Sequence, residues 1–166
     1  MYRKITVSIK IIMLLMIISL AACSKITEKT VKNTPADLNP NQTIIDASKN
    51  MEWVFGKNYK SWAPSGTDIE NAEKLITECF NDQKWGTLNR LLNRKPEDYY
   101  RQFVGAINEK GEKIIWVNCF CEKEINFFKD WKTNIIMVAD GGNCFFNLKI
   151  NVDKNNYFDV MVNGNA

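Results

Sequence analysis

From residue 98 onward the apolar side chains of this chain tend to recur at every second position, and that period constrains its fold more than any other feature. Successive side chains of a strand point to opposite faces, so such alternation marks strands with one face buried. Tyr99 to Asn108, Glu112 to Cys121, Asn134 to Ala139, Cys144 to Val152 and Tyr157 to Val162 read as strands. Glu109-Lys110-Gly111, Asp140-Gly141 and Asp153-Lys154-Asn155-Asn156 read as the turns between them. Glycine and asparagine accept the backbone of tight turns at little steric cost. Residues 122–132, charged and aromatic, form a longer connection.

Upstream the period is helical. In residues 67–82, TDIENAEKLITECFND, one stripe holds Ile69, Ala72, Ile76 and Cys79, with Leu75 and Phe80 beside them. Thr67 and Glu70 have the spacing of a capping box, and Asp68 and Glu70 suit the positive end of a helix. The pattern predicts a helix over roughly Asp68 to Asn81. A shorter helical turn is expected over Thr87 to Asn93, where Leu88, Leu91 and Leu92 share a face before Pro96. A helix followed by strands gives an α+β class: an N-terminal helix packed on a four- or five-stranded antiparallel sheet, so that each buries the other's apolar face. That order resembles the cystatin-like architecture, a likeness of fold that implies no function. Cystatins carry a Gln-x-Val-x-Gly inhibitory loop. Gln102-Phe103-Val104-Gly105 lacks the last spacer and falls in a strand, so protease inhibition is not carried over.

The other end of the chain addresses it. Arg3 and Lys4 precede an apolar run from Ile11 to Leu20, then Ala21, Ala22 and Cys23. A positive start, a short apolar core and small residues are the parts of a secretory signal peptide. The run is shorter than the roughly 20 residues of a spanning helix. Leu20-Ala21-Ala22-Cys23 resembles the lipobox of bacterial lipoproteins. The resemblance implies that Cys23 receives a diacylglyceryl group and becomes residue one after cleavage, with an acyl chain such as palmitate added. Two or more acyl chains hold a protein firmly to a membrane.

The expected organisation is therefore a signal peptide over 1–22, a lipid-anchored flexible tether over 23–43 and a single α+β domain over 44–166. The tether reading rests on residues 24–43, which hold two prolines, many Lys, Thr and Asn, and no aromatic residue. No dense acidic cluster follows Cys23, which favours the periplasmic side of an outer membrane over the cell surface. Of the 22 basic residues, Arg3, Lys4 and Lys10 lie in the leader, leaving 19 against 19 acidic ones. A neutral mature chain gives no reason to expect a nucleic acid partner. The C-terminal third, with VADGGNCFFNLKINV and VMVNGNA, is similar to small lipoproteins of Gram-negative anaerobes, a resemblance that brings no activity.

With Cys23 assigned to lipid, Cys79, Cys119, Cys121 and Cys144 remain. Cys119 and Cys121 are two apart on one strand and share a face with Ile115 and Val117. Cys144 shares a face with Phe146, Leu148 and Ile150, and Cys79 lies on the helix stripe. The opposite faces carry Asn118, Asn143, Asn147 and Lys149 and read as the polar side of the sheet. Two roles stay open: small buried apolar residues, or one or two disulfides, as an even set in an exported chain suggests. Cys144 with Cys119 or Cys121 is the first pairing, with Cys79 the rival partner. No metal site is expected, since C-x-C offers a poor bite and no histidine completes a mixed set.

Having no histidine, the chain holds no Ser-His-Asp or Cys-His arrangement. Glu122 with Glu124, and Glu97 with Asp98, are the available carboxylate pairs, both in charged loops that read as solvated surface. Asp140-Gly141-Gly142-Asn143 lacks the repeated acids of a calcium loop. No cofactor is implied. Trp53, Phe55, Tyr59 and Trp62 crowd the segment before the helix. Exposed, they would make a sugar-stacking or peptide-binding surface; buried, they would close one end of the core, and core packing is the expectation. The function these observations favour is a non-catalytic, lipid-anchored binding module for a protein, peptide or glycan of the cell envelope. The alternatives are a carboxylate-dependent envelope enzyme and a structural subunit of an envelope complex.

Cys23→Ser is expected to abolish acylation. Metabolic labelling with a tagged fatty acid in a lipoprotein-processing bacterial host checks this, and label retained by the variant would refute the assignment.

Overall fold

Six strands form one mixed sheet in the computed structural model, which describes residues 37–47, 51–82 and 94–164. The elements in chain order are β1 (Gln42–Ile45), α1 (Glu52–Phe55), β2 (Lys60–Ser61), α2 (Gly66–Asn81), β3 (Tyr99–Ile107), β4 (Lys113–Cys121), β5 (Phe145–Asn151) and β6 (Asn156–Val162). The leader, Cys23 and the expected turn over Thr87 to Asn93 lie outside the described residues. Strands β3 to β6 are antiparallel neighbours in that order. The expectation of a purely antiparallel sheet is corrected at its edge, where β1 runs parallel to β3 and pairs Gln42 with Arg101 through Ile45 with Val104. A parallel neighbour needs a long crossover, here supplied by α1, β2 and α2. Strand β1 also takes Gln42 and Thr43 into the sheet, so the folded sequence begins before Ile44.

Helix α2 starts earlier than the Thr67–Glu70 spacing implies. Ser65 is the N-cap, with Asp68 as its partner: Ser65 N donates to Asp68 Oδ2 at 2.8 Å, and Ser65 Oγ accepts from Asp68 N at 3.4 Å. Two overlapping Ser/Thr-x-x-acid spacings compete here. The Ser65–Asp68 pair is the one that closes a capping box, and the helix begins with Gly66. Gly105 is needed where the chain enters α2, since a Cβ there would overlap Trp62 O and the Pro64 ring. Helix α2 buries Ile69, Ala72, Leu75, Ile76, Cys79 and Phe80. They pack on Phe103, Ile115, Val117, Phe146, Leu148 and Ile150 of the sheet. Each large side chain buried this way contributes about 2 kcal/mol.

The second face of the sheet is covered as well, which the alternation did not reveal. Asn134 to Ala139 is not a strand. It runs irregularly over that face after the connection from β4. Its backbone is satisfied by buried side chains rather than by a neighbouring strand. Gln102 Nε2 donates to the carbonyls of Trp131 at 2.5 Å and Asn134 at 2.7 Å, and Gln102 Oε1 accepts from Ile136 N at 3.0 Å. Asn118 Nδ2 donates to Ile136 O at 2.7 Å and to Gln102 Oε1 at 3.0 Å. Thr43 Oγ1 adds a bond to Lys132 O at 3.0 Å. Gln102 and Asn118 are both buried, and a buried amide is tolerable only when paired in this way.

Gln102→Met keeps the side-chain length and removes both polar atoms, leaving the carbonyls of Trp131 and Asn134, the Ile136 N–H and one Asn118 N–H without their partner. A loss of about 3 kcal/mol is expected, with faster amide exchange in residues 131–136. Urea unfolding and hydrogen exchange measure both, and an unchanged exchange pattern would show that the segment is held by something else.

Candidate functional site

A cleft of about 370 Å³ opens on the second face of the sheet. Its floor is built by register. Asn118 on β4 lies directly opposite Asn147 on β5, Trp116 opposite Lys149, and Phe120 opposite Phe145, so Trp116, Asn118, Phe145 and Asn147 project to one side. One wall is the irregular stretch 136–139, with Asn163 closing the end. Asn163 Nδ2 holds that wall, donating to Val138 O at 2.5 Å and Asp140 O at 3.0 Å.

The facing wall is Trp53 of α1. This four-residue helix buries Val54, and Met51 just before it, against Val104 and Trp116. Gly56, at φ 82°, follows the last helical residue and ends it. Tyr59 fixes the approach: its hydroxyl donates to Ala47 O at 2.8 Å and accepts from Met51 N at 2.9 Å. Trp53 is left on the outer side, 55% exposed. Its ring stands edge-on to Trp116, with centroids 5.3 Å apart and planes at 81°. The expectation that the aromatic segment packs into the core is thus corrected for Trp53, because a helix this short has one buried side and Val54 occupies it. Phe55, Tyr59 and Trp62 are half-buried or nearly so.

None of the described residues lining the cleft is ionisable. Two amides on its floor are half-spent. Asn147 Oδ1 accepts from Trp116 Nε1 at 3.3 Å, and both hydrogens of Asn118 Nδ2 go to Gln102 and Ile136. Among the described residues, Asn147 Nδ2 and Asn118 Oδ1 have no hydrogen-bond partner. Asn118 and Asn147, read from sequence as the solvated side of the sheet, are instead the polar groups of a concave site. Alternation marked their face correctly but carried no sign of the segment that walls it.

The cysteines lie elsewhere. Cys121 and Cys144 form a disulfide, with Cα atoms 4.9 Å apart and a sequence separation of 23. Glu124 brings a carboxylate within 4.8 Å of both sulfurs, but a closed bridge leaves no thiolate to share with it. Cys79 and Cys119 are free and buried between α2 and the sheet. Burial pushes the Cys79 thiol up to about 12, with the Asp82 charge adding to it. Burial raises Cys119 further, against a smaller opposite pull from Arg101. Neither has the low pKa of a reactive thiol.

The Glu122 side chain lies outside the described residues, and Glu97 and Asp98 do not line the cleft. Asp98 caps a 3-10 turn, accepting from Lys95 N at 2.9 Å, and Glu97 beside it is exposed. Glu124 lies 3.6 Å from Lys123 Nζ. A different acid is half-buried: Glu73 of α2 faces Arg101 of β3, with Arg101 Nε 3.3 Å from Glu73 Oε1. That N–H is not aimed well enough to be a hydrogen bond, so the attraction is Coulombic. The guanidinium instead donates to the carbonyls of Tyr99 and Pro96. Gln42 Nε2 donates to Glu73 at 2.6 Å, which ties β1 to the helix. Burial raises the Glu73 pKa above 4.5, outweighing the opposite pulls of Arg101 and Gln42.

A group whose folded pKa is raised contributes stability that is present below its unfolded pKa and lost as pH climbs through the folded value. The unfolding free energy of the natural chain minus that of Glu73→Gln is therefore expected to be greatest below pH 4.5 and to fall as pH rises above it. Paired urea titrations across that range test the sign, and a difference that grows with pH would contradict it.

No family model, no curated protein and no solved structure matches this chain, so what the cleft can hold is read from its own lining.

Proposed function

We propose that the chain is an exported protein, lipid-anchored through Cys23 to the cell envelope, on the periplasmic side of an outer membrane. Its domain, from the start of the sheet to the C-terminus, is a non-catalytic binding module for an envelope protein, peptide or glycan. The arrangement of α2 over the antiparallel strands β3 to β6 is cystatin-like, with β1 added in parallel at the edge. The leader and the Leu20-Ala21-Ala22-Cys23 ending support the address. The Cys121–Cys144 disulfide suits an oxidising compartment.

The observation that carries the binding reading is the cleft itself: concave, walled by a half-exposed tryptophan, floored by two half-spent amides and free of charge. Ligand sites are mostly apolar concavities with a few placed polar groups, about 300–1,000 Å³ in volume. Its lining has no carboxylate, which favours a binder over a carboxylate-dependent enzyme. A ligand held by stacking and neutral hydrogen bonds responds little to salt, because there is no ion pair to screen.

With the full chain in detergent on a resin and envelope extract as the source, the natural protein is expected to retain a component that Trp53→Ala loses at least tenfold. Retention is expected to persist at about 0.5 M salt, where exposed charge pairs are screened. Equal retention by the variant, or elution by salt alone, would remove the cleft as the binding site.

A further inference from the structure

Resting on that reading, we infer that the cleft takes a neutral sugar ring, with one face of the ring stacked on Trp53 and two adjacent hydroxyls shared between Asn118 and Asn147. Three features of the lining lead to this class of ligand.

The first is charge. Among the described residues, no ionisable side chain lines the cleft. A phosphate, carboxylate or ammonium group placed there would lose water without gaining a counterion, which is costly. The ligand is therefore uncharged where it touches the cleft.

The second is the orientation of the two amides, which the surrounding groups decide. A backbone carbonyl can only accept, so the Asn118 atom facing Ile136 O at 2.7 Å is the nitrogen. An indole N–H can only donate, so the Asn147 atom facing Trp116 Nε1 at 3.3 Å is the oxygen. What remains for a ligand is one acceptor, Asn118 Oδ1, and one donor, Asn147 Nδ2. Because the two residues are direct register partners, their side chains rise from opposed positions on neighbouring strands, on the same side of the sheet. Vicinal hydroxyls match that pair. One donates to Asn118, the next accepts from Asn147, and each retains capacity for water at the open side.

The third is the wall. Trp53 meets Trp116 at 81°, is 55% exposed and lines the cleft together with the two amides. A pyranose has an apolar C–H face at right angles to its hydroxyl rim, and an aromatic face covers the former while amides reach the latter. An extended peptide also offers donors and acceptors, but it repeats them along a line and needs more than one donor and one acceptor to be held.

The test uses the full chain in detergent and side-chain NMR signals of Trp53 and Asn147. The probes are a neutral methyl glucoside, a neutral trimer of N-acetylglucosamine, glucuronate and a capped tri-alanine peptide. Saturable shifts with the glucoside or the trimer are expected, and the two arms separate a single ring from a chain. Glucuronate is expected to bind at least tenfold more weakly than the glucoside. Trp53→Ala is expected to weaken the neutral sugars about tenfold, the worth of one aromatic stack. Asn147→Asp keeps the oxygen that Trp116 needs and replaces the donor with a charged acceptor, so it is expected to lose the sugars while the near-UV spectrum of the fold stays unchanged. Glucuronate binding as tightly as the glucoside, or both variants binding sugar as the natural chain does, would overturn the proposal. Saturation by the capped peptide without response to either neutral sugar would overturn the sugar class and leave the binding reading intact. Silence with all four probes would also overturn the sugar class, and retention from envelope extract then decides the binding reading separately.

Discussion

The contact on which the rest of this structure depends is a pair of buried amides in the middle of the sheet. Gln102 is fully buried and makes hydrogen bonds to Trp131, Asn134, Ile136 and Asn118. Between them Gln102 and Asn118 do the work of an absent neighbouring strand, satisfying the backbone of a segment that crosses the face of the sheet instead of joining its edge. Without them the carbonyls of that segment would be buried without donors, which a low-dielectric interior penalises heavily. With them the sheet has two covered faces: α2 on one, the stretch after β4 on the other.

The cleft is a by-product of that solution. Asn118 spends its nitrogen on holding the wall, and so has only an oxygen left over. Asn147 spends its oxygen on Trp116, and so has only a nitrogen left over. The same bonds that build the wall thus sort the floor into one donor and one acceptor. Trp53 completes the concavity because the short helix α1 can bury one side and Val54 takes it. The free thiols lie on the far side of the sheet. There Cys79 and Cys119 lie within a closed apolar layer, and the ionic contact between Glu73 and Arg101 joins the helix to the parallel edge of the sheet.

Several parts of this were legible from residues alone. The stripe of Ile69, Ala72, Leu75, Ile76, Cys79 and Phe80 marks the side of α2 that is buried, because a helical period puts those positions on one face. The alternation from Tyr99 onward marks β3, β4, β5 and β6. Two strand assignments fail for physical reasons. Asn134 to Ala139 has the apolar density of a strand but takes its hydrogen bonds from side chains, and no local pattern records where a distant glutamine points. Gln42 to Ile45 is a strand only because β3 lies beside it. Its first residues, polar and next to Pro40, look like tether. The helix start shifted because two capping pairs overlap and the earlier one, Ser65 with Asp68, closes the capping box.

What the sequence determined by itself was the α+β class, the faces of its regular elements and the parity that puts Cys119 and Cys121 on one side of a strand. Those properties follow from periods of 3.6 and 2, which are local. Only the tertiary structure decided that Asn118 on the polar face is buried, that Asn118 and Asn147 become neighbours in a neutral cleft, and that Trp53 remains outside while Trp116 does not. Each of these depends on segments far apart in the chain meeting over one sheet, with residues 53, 118, 136, 147 and 163 drawn to a single site. A hydrogen bond between an asparagine and a backbone carbonyl 18 residues away leaves no periodic trace. The character of this site is made of such bonds.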